Sequence, residues 1–191
     1  MSLHLEVFPA SRAGTGLFGL ALAPLVRTYT ITDIRPLLPL IRKNVSLNSP
    51  GWHDGSLGNS TSNITIEELD WLGLTSLPSG TARARYCPVP KVTSALELGS
   101  ADHAPVAWDV VFVVDCIYNP SLLSALVNTI DAVSTAGRTW VLVVVELRQE
   151  DVLREFLDLW LKQASGRWEI TRVEGLLDVH FVAWAGRKRL D

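Results

Sequence analysis

Cysteine is scarce in this chain of 191 residues, with only Cys87 and Cys116 present. Two cysteines cannot build a disulfide framework, and these two lack metal-ligand spacing. Cys116 sits inside an apolar run, so a small buried residue and a reducing compartment are expected. An excess of one charge is lacking too. Against 17 basic residues stand 20 acidic ones, for a net charge of -3. Nothing in that balance suggests nucleic acid or an anionic membrane as a direct partner. No apolar run reaches the roughly 20 residues of a membrane span. No basic segment followed by an apolar stretch opens the chain, so no signal peptide is expected. The cytoplasm is therefore the expected location. The tail Arg187-Lys188-Arg189 reads as a solvated end, with a nuclear address as the lesser alternative. In such a chain the sequons at Asn44, Asn59 and Asn63 read as chance matches. His4, His53, His103 and His180 form no cluster, so no metal is expected.

Apolar material is plentiful, at 48% against 19% charged, and the length suits one domain over residues 1–191. Leu3 to Phe8 alternates weakly, as a strand would. Gly14-Thr15-Gly16 follows, and Leu17 to Val26 reads as a short buried helix. The β-branched and aromatic run Thr28 to Thr32 predicts a second strand. Asp33 follows it directly, and a helix runs from about Pro36 to Asn48. Residues 49–63 read as a loop, and Ile64 to Trp71 as a third strand. Residues 73–107 show no clear period, although 93–98 could be a short element. Asp109 to Cys116 is an almost unbroken apolar strand, as at the centre of a parallel sheet. Asn119-Pro120 starts a helix whose face is Leu122, Leu123, Leu126, Val127, Ile130 and Val133. Thr139 to Glu146 is another buried strand, and Glu150 to Ala164 another helix. Trp168 to Val173 and Val179 to Trp184 close the chain as an antiparallel pair. Such alternation implies an α/β, Rossmann-like, mostly parallel sheet with helices on both faces, binding ligands at the carboxyl ends of its strands.

Several residues fall at those ends. A glycine pair, Gly14 and Gly16, would let a ligand approach the backbone closely; its ordinary alternative is a strand-to-helix turn. Asp33, about 20 residues on, can accept hydrogen bonds from both hydroxyls of a ribose. Its alternative is a helix cap. Asp115 and Tyr118 close the fourth strand, where Asp115 could instead cap and Tyr118 pack. Trp71 could lie against an adenine ring, but spacing alone favours a core or hinge aromatic. Glu146-Leu147-Arg148 closes the fifth strand and reads as an internal ion pair.

Taken together, GTGLFGLALAPLV, TITDI with PLIRKNVSLN, ELDW, WDVVFVVDCIYNPSLL and VLVVVELR resemble the seven-β-strand protein-lysine methyltransferases that carry an Asp-x-x-Tyr motif. Within that family, the segment from Asp115 to Leu123 is similar to the fungal ribosomal lysine methyltransferase 5 group. The resemblance implies a class I methyltransferase domain with seven strands and S-adenosyl-L-methionine as cofactor. Gly14 and Gly16 would line the amino-acid end of that cofactor, Asp33 its ribose and Trp71 its adenine. Asp115 and Tyr118 match the motif beside the site of methyl transfer. The implied partner is a protein substrate, in the subgroup a large-subunit ribosomal protein, and the enzyme is expected to be a monomer. The glycine loop departs from the family's Glu-Leu-Gly-x-Gly-Thr-Gly, since Ala10-Ser11-Arg12-Ala13 precede Gly14. A truncated start or a degenerate loop would explain this. It keeps open a second reading, a non-catalytic binding module on a methyltransferase scaffold, which cofactor affinity distinguishes. Gly14 to Gly19 also has the glycine spacing of a nicotinamide-binding turn, but its GTGLFGL context is nearer the methyltransferases.

Overall fold

A computed structural model of the chain describes residues 6–9, 16–49, 63–78, 83, 86–88, 107–163, 167–175, 177–178 and 180–190. Strands cover Glu6–Pro9 (β1), Thr28–Asp33 (β2), Ile64–Glu68 (β3), Val110–Val114 (β4), Trp140–Glu146 (β5), Trp168–Val173 (β6) and Phe181–Lys188 (β7). They form one sheet in the order β3-β2-β1-β4-β5-β7-β6. β1 pairs in parallel with β2 and β4, β2 with β3, and β4 with β5. β7 alone runs against its neighbours, antiparallel to both β5 and β6. The chain winds outward from β1 to β3, then returns to β4 and winds the other way. The reversal lies between β1 and β4, and in sheets of this kind ligands bind at the carboxyl edge near such a reversal.

The helices are Leu17–Leu22 (α1), Leu38–Asn48 (α2), Trp71–Ser76 (α3), Pro120–Val133 (α4) and Glu150–Leu161 (α5). Short 3₁₀ turns at Ala23–Leu25 and Arg35–Leu37 complete the segments after α1 and before α2. Strand alternation separates two cores. Val111 and Val113 of β4 and Val141, Val143 and Val145 of β5 face α3, α4 and α5. Val110 and Phe112 of β4 and Leu142 of β5 turn the other way, with Tyr29, Ile31, Ile41 and Val45. Being buried from both sides is why β4 and β5 read as unbroken apolar runs.

Sequence signals explain the helix starts. Asn119 caps α4, its Oδ1 accepting from the Ser121 N–H at 3.1 Å, and Pro120 takes the first turn. Gly16 caps α1 with φ 80°, in the left-handed region that glycine adopts freely. A Cβ there would lie 3.3 Å from Ile41 Cγ2, so its missing side chain lets α1 close onto α2.

Two expectations of strand length need correction. The third strand stops at Glu68 rather than running to Trp71, because Asp70 caps a helix: its Oδ1 accepts from the Leu72 N–H at 3.0 Å. The last strand extends to Lys188, whose side chain is buried, so the basic tail is not wholly a solvated end. Asn63, one of the three sequon residues, has a structural role. Its Nδ2 donates to the carbonyls of Ala23 at 2.6 Å and Val26 at 2.7 Å, fixing the turn before β2. The expected element at 93–98, Gly14, and the sequon at Asn59 lie outside the described residues. Among the described residues no helix is long and apolar enough to cross a membrane.

Candidate active site

Each of four parallel strands ends in a carboxylate: Asp33 on β2, Glu68 on β3, Asp115 directly after β4 and Glu146 on β5. Two of them border a cleft of about 390 Å³, lined by Asp33, Ile34, Arg35, Pro36, Glu68, Leu69, Asp70, Trp71, Leu72 and Leu122. The floor belongs to β2 and β3. The Leu69 N–H donates to the Asp33 carbonyl at 2.9 Å, holding the two strand exits together. Leu122, on the first turn of α4, also lines the cleft.

Asp33 is only 3% exposed. A buried carboxylate costs free energy unless hydrogen bonds compensate it. Its Oδ1 accepts from the Ile34 N–H at 2.8 Å. The helix-cap reading of Asp33 does not hold, because the following 3₁₀ turn has Ile34 as its N-cap and no side chain bonded there. Trp71 is half-buried; it packs on the core beneath α3 and α4 and also lines the cleft. The cleft therefore offers one buried acceptor beside an indole and five aliphatic or proline side chains. That composition fits a nucleoside, with a diol for the carboxylate and a flat base for the apolar wall. An Arg35–Glu68 ion pair at 4.0 Å lies at its exposed rim.

Asp115 and Tyr118 do not line this cleft. Asp115 has φ 50°, the one positive value for a non-glycine among the described residues. Its N–H donates to the Val144 carbonyl at 2.8 Å, which fastens it to β5. On that side it meets Arg148, whose Nη2 lies 3.9 Å from Asp115 Oδ2. Arg148 also donates from Nε to Glu146 Oε2 at 2.7 Å, and from Nη2 to the same oxygen. These bonds hold the Glu146 carboxyl below its ordinary range, and Glu146 pushes the Arg148 guanidinium up. Tyr118 is exposed, between Asp115 and the cap of α4. Gly16 faces α2 and does not line the cleft. The structure thus brings Asp33 and Trp71 together and leaves Asp115 and Tyr118 out of the lining of that cleft.

Sequence reading missed Leu122 and the reach of Arg148 to Asp115. The carboxylates at these four strand ends were the available signal for the latter. Among the described residues, no three His, Cys, Asp or Glu side chains gather as a metal site.

The profile of the lysine methyltransferase family matches residues 12–81 and 93–163. The chain belongs to this family. It is also 29% identical over 147 residues to a diaminohydroxyphosphoribosylamino-pyrimidine deaminase of Schizosaccharomyces pombe, covering 75% of this chain and 27% of that protein. The chain thus spans about a quarter of that relative's length. Among solved structures, the methyltransferase SibL in its apo form aligns with a TM-score of 0.58 at 15% identity, over 98% of this chain and 51% of the other. PigF with SAH gives 0.58 at 14%, over 98% and 57%. The N-methyltransferase NodS from Bradyrhizobium japonicum, in complex with S-adenosyl-L-homocysteine, gives 0.54 at 11%, over 98% and 79%. At these identities the likeness is one of fold, a methyltransferase-like α/β architecture. The chain spans about half the length of the first two of these structures.

Proposed function

We propose that this family member is an S-adenosyl-L-methionine-dependent protein-lysine N-methyltransferase. The observation that carries the reading is the buried Asp33 carboxylate at the end of β2, beside Trp71 in a cleft of nucleoside size. Asp33 accepts hydrogen bonds from the ribose hydroxyls, and Trp71 with Leu69, Leu72 and Ile34 encloses the adenine. The family resemblance assigns Gly14 and Gly16 to the amino-acid end. When bound, the cofactor supplies a methyl group made electrophilic by its sulfonium, which a neutral lysine amine can take.

The chain's own work is placement. Asp115 positions the incoming lysine at the end of β4, and Tyr118 shapes its approach. Holding nucleophile and methyl in attack geometry removes most of the entropic cost of transfer. Burial of the lysine side chain favours its neutral form, the form that reacts. The acceptor is a protein, with a large-subunit ribosomal protein as the first candidate because of the segment Asp115 to Leu123. We place the enzyme in the cytoplasm, as a monomer.

Calorimetric titration of the purified chain with S-adenosylmethionine tests the reading. Micromolar binding, followed by tritium transfer from the labelled cofactor into ribosomal protein, is expected. A folded sample that takes up no cofactor would overturn it and leave a binding module on this scaffold.

A further inference from the structure

Glu146, Arg148 and Asp115 come from two neighbouring strand exits, and their arrangement is asymmetric. Arg148 makes both of its hydrogen bonds to Glu146 and only a 3.9 Å approach to Asp115. Its own N–H also donates to the Glu146 carbonyl at 2.9 Å, which folds the segment after β5 into a tight turn. The guanidinium is therefore anchored before it reaches Asp115. The contact with Asp115 then needs little further ordering of a long side chain, the usual cost of an exposed ion pair.

Stability does not account for the arrangement. The three side chains are 62%, 52% and 36% exposed for Arg148, Asp115 and Glu146, and exposed pairs contribute little to folding. Asp115 meanwhile takes a left-handed backbone that a non-glycine residue adopts at a cost, and such outliers collect at working sites. Its backbone is fixed by that conformation and by the Val144 bond. Its carboxylate still has a free choice of rotamer unless a second group fixes it.

We propose that Arg148 is the positioning residue of Asp115: anchored on Glu146, it holds the Asp115 carboxylate in one orientation for the target lysine. The proposal rests on the reading of Asp115 as the residue that meets that lysine. Glu146 is the anchor, so it acts through Arg148.

Two readouts separate this proposal from the functional reading beneath it. The first is the set of three-bond couplings of the Asp115 side chain by NMR, which needs neither cofactor nor substrate. The native chain should show one χ1 rotamer. Arg148→Ala should average the rotamers, Arg148→Lys should restore the native value in part, and Glu146→Gln should loosen it. Native couplings in Arg148→Ala would overturn the proposal. The second is tritium transfer from S-adenosylmethionine into a pool of lysine-centred nonapeptides. Arg148→Ala should lower kcat about tenfold, the scale of losing orientation at a reacting centre, with S-adenosylhomocysteine affinity unchanged. An unchanged kcat in an active enzyme would remove the catalytic part. If the native chain transfers nothing while the couplings respond as expected, the methyltransferase reading fails and the positioning of Asp115 by Arg148 stands.

Discussion

The N–H of Leu69 donates to the carbonyl of Asp33 at 2.9 Å, one residue beyond the end of β3. This bond extends the β2–β3 ladder past its last register pair, Asp33 with Glu68. It holds the buried carboxylate and the start of the Trp71 helix on one rigid edge. Positioned sites on rigid elements lose little entropy when a ligand arrives.

Asp33→Ala should therefore weaken cofactor affinity without unfolding the chain. A hydrogen bond to a charged group contributes about 1.5–3 kcal/mol. A loss of about 10- to 100-fold in S-adenosylhomocysteine affinity is expected by calorimetry, with the native circular dichroism spectrum retained. Affinity within twofold of the native chain would show that Asp33 holds no ribose.

Trp71 divides its surface between the cleft and the core under α3. Trp71→Phe keeps a flat ring in both roles, whereas Trp71→Ala keeps it in neither. Ring contacts contribute about 0.5–1.5 kcal/mol beyond burial. The alanine variant should bind cofactor about tenfold more weakly and melt at a lower temperature. The phenylalanine variant should stay near native in both. Equal affinity in all three chains would assign Trp71 to the core alone.

The parts of this fold that were legible in the sequence are those where one local pattern meets one environment. β4 and β5 are buried on both faces and read as continuous apolar runs, and Asn119-Pro120 is both cap and first turn of α4. Asp33 was visible because it ends such a run. Trp71 was visible by type but misplaced, since the strand pattern of Ile64 to Leu69 continues smoothly into a helix that only the Asp70 cap announces. The Arg148–Asp115 approach was not legible. It depends on the register that sets Val114 of β4 against Val144 of β5, and no single segment encodes a register. Leu122 was read as one more residue of a buried face, but the cleft lies on its open side.

Lys188 is an unusual charge to find buried near the end of a strand. Its ammonium lies 2.9 Å from Asp131 Oδ1 and donates to the Asp131 carbonyl at 2.7 Å, near the carboxyl end of α4. It also sits 5.6 Å from the centroid of the Trp168 ring. One side chain thus joins β7, α4 and β6. Removing one partner of a buried pair costs far more than the pair contributes, because a desolvated charge stays behind. Lys188→Met should destabilise the chain by about 3 kcal/mol in urea unfolding. Lys188→Met with Asp131→Asn should recover part of that loss. A double variant no more stable than the single one would place the cost in packing against Trp168 instead.

Tyr29 is the opposite case, a fully buried residue whose hydroxyl has no hydrogen-bond partner. The ring fills the core between β2 and the α1 and α2 helices, and the oxygen adds only a desolvation cost. Tyr29→Phe removes that oxygen and keeps the ring, so a gain of about 1 kcal/mol is expected. The gain should grow at high pH. Burial raises the phenol above its ordinary value of 10.0. The folded state then keeps the neutral form while the unfolded chain ionises, so the native protein loses stability as pH rises above 10.0 toward the folded value. The variant has no such group at this position and should lose less over the same range. Urea unfolding of both chains at neutral pH and above pH 10 measures the two effects together. Parallel stability curves, with the variant no more stable at any pH, would mean that the Tyr29 hydroxyl is hydrated in solution.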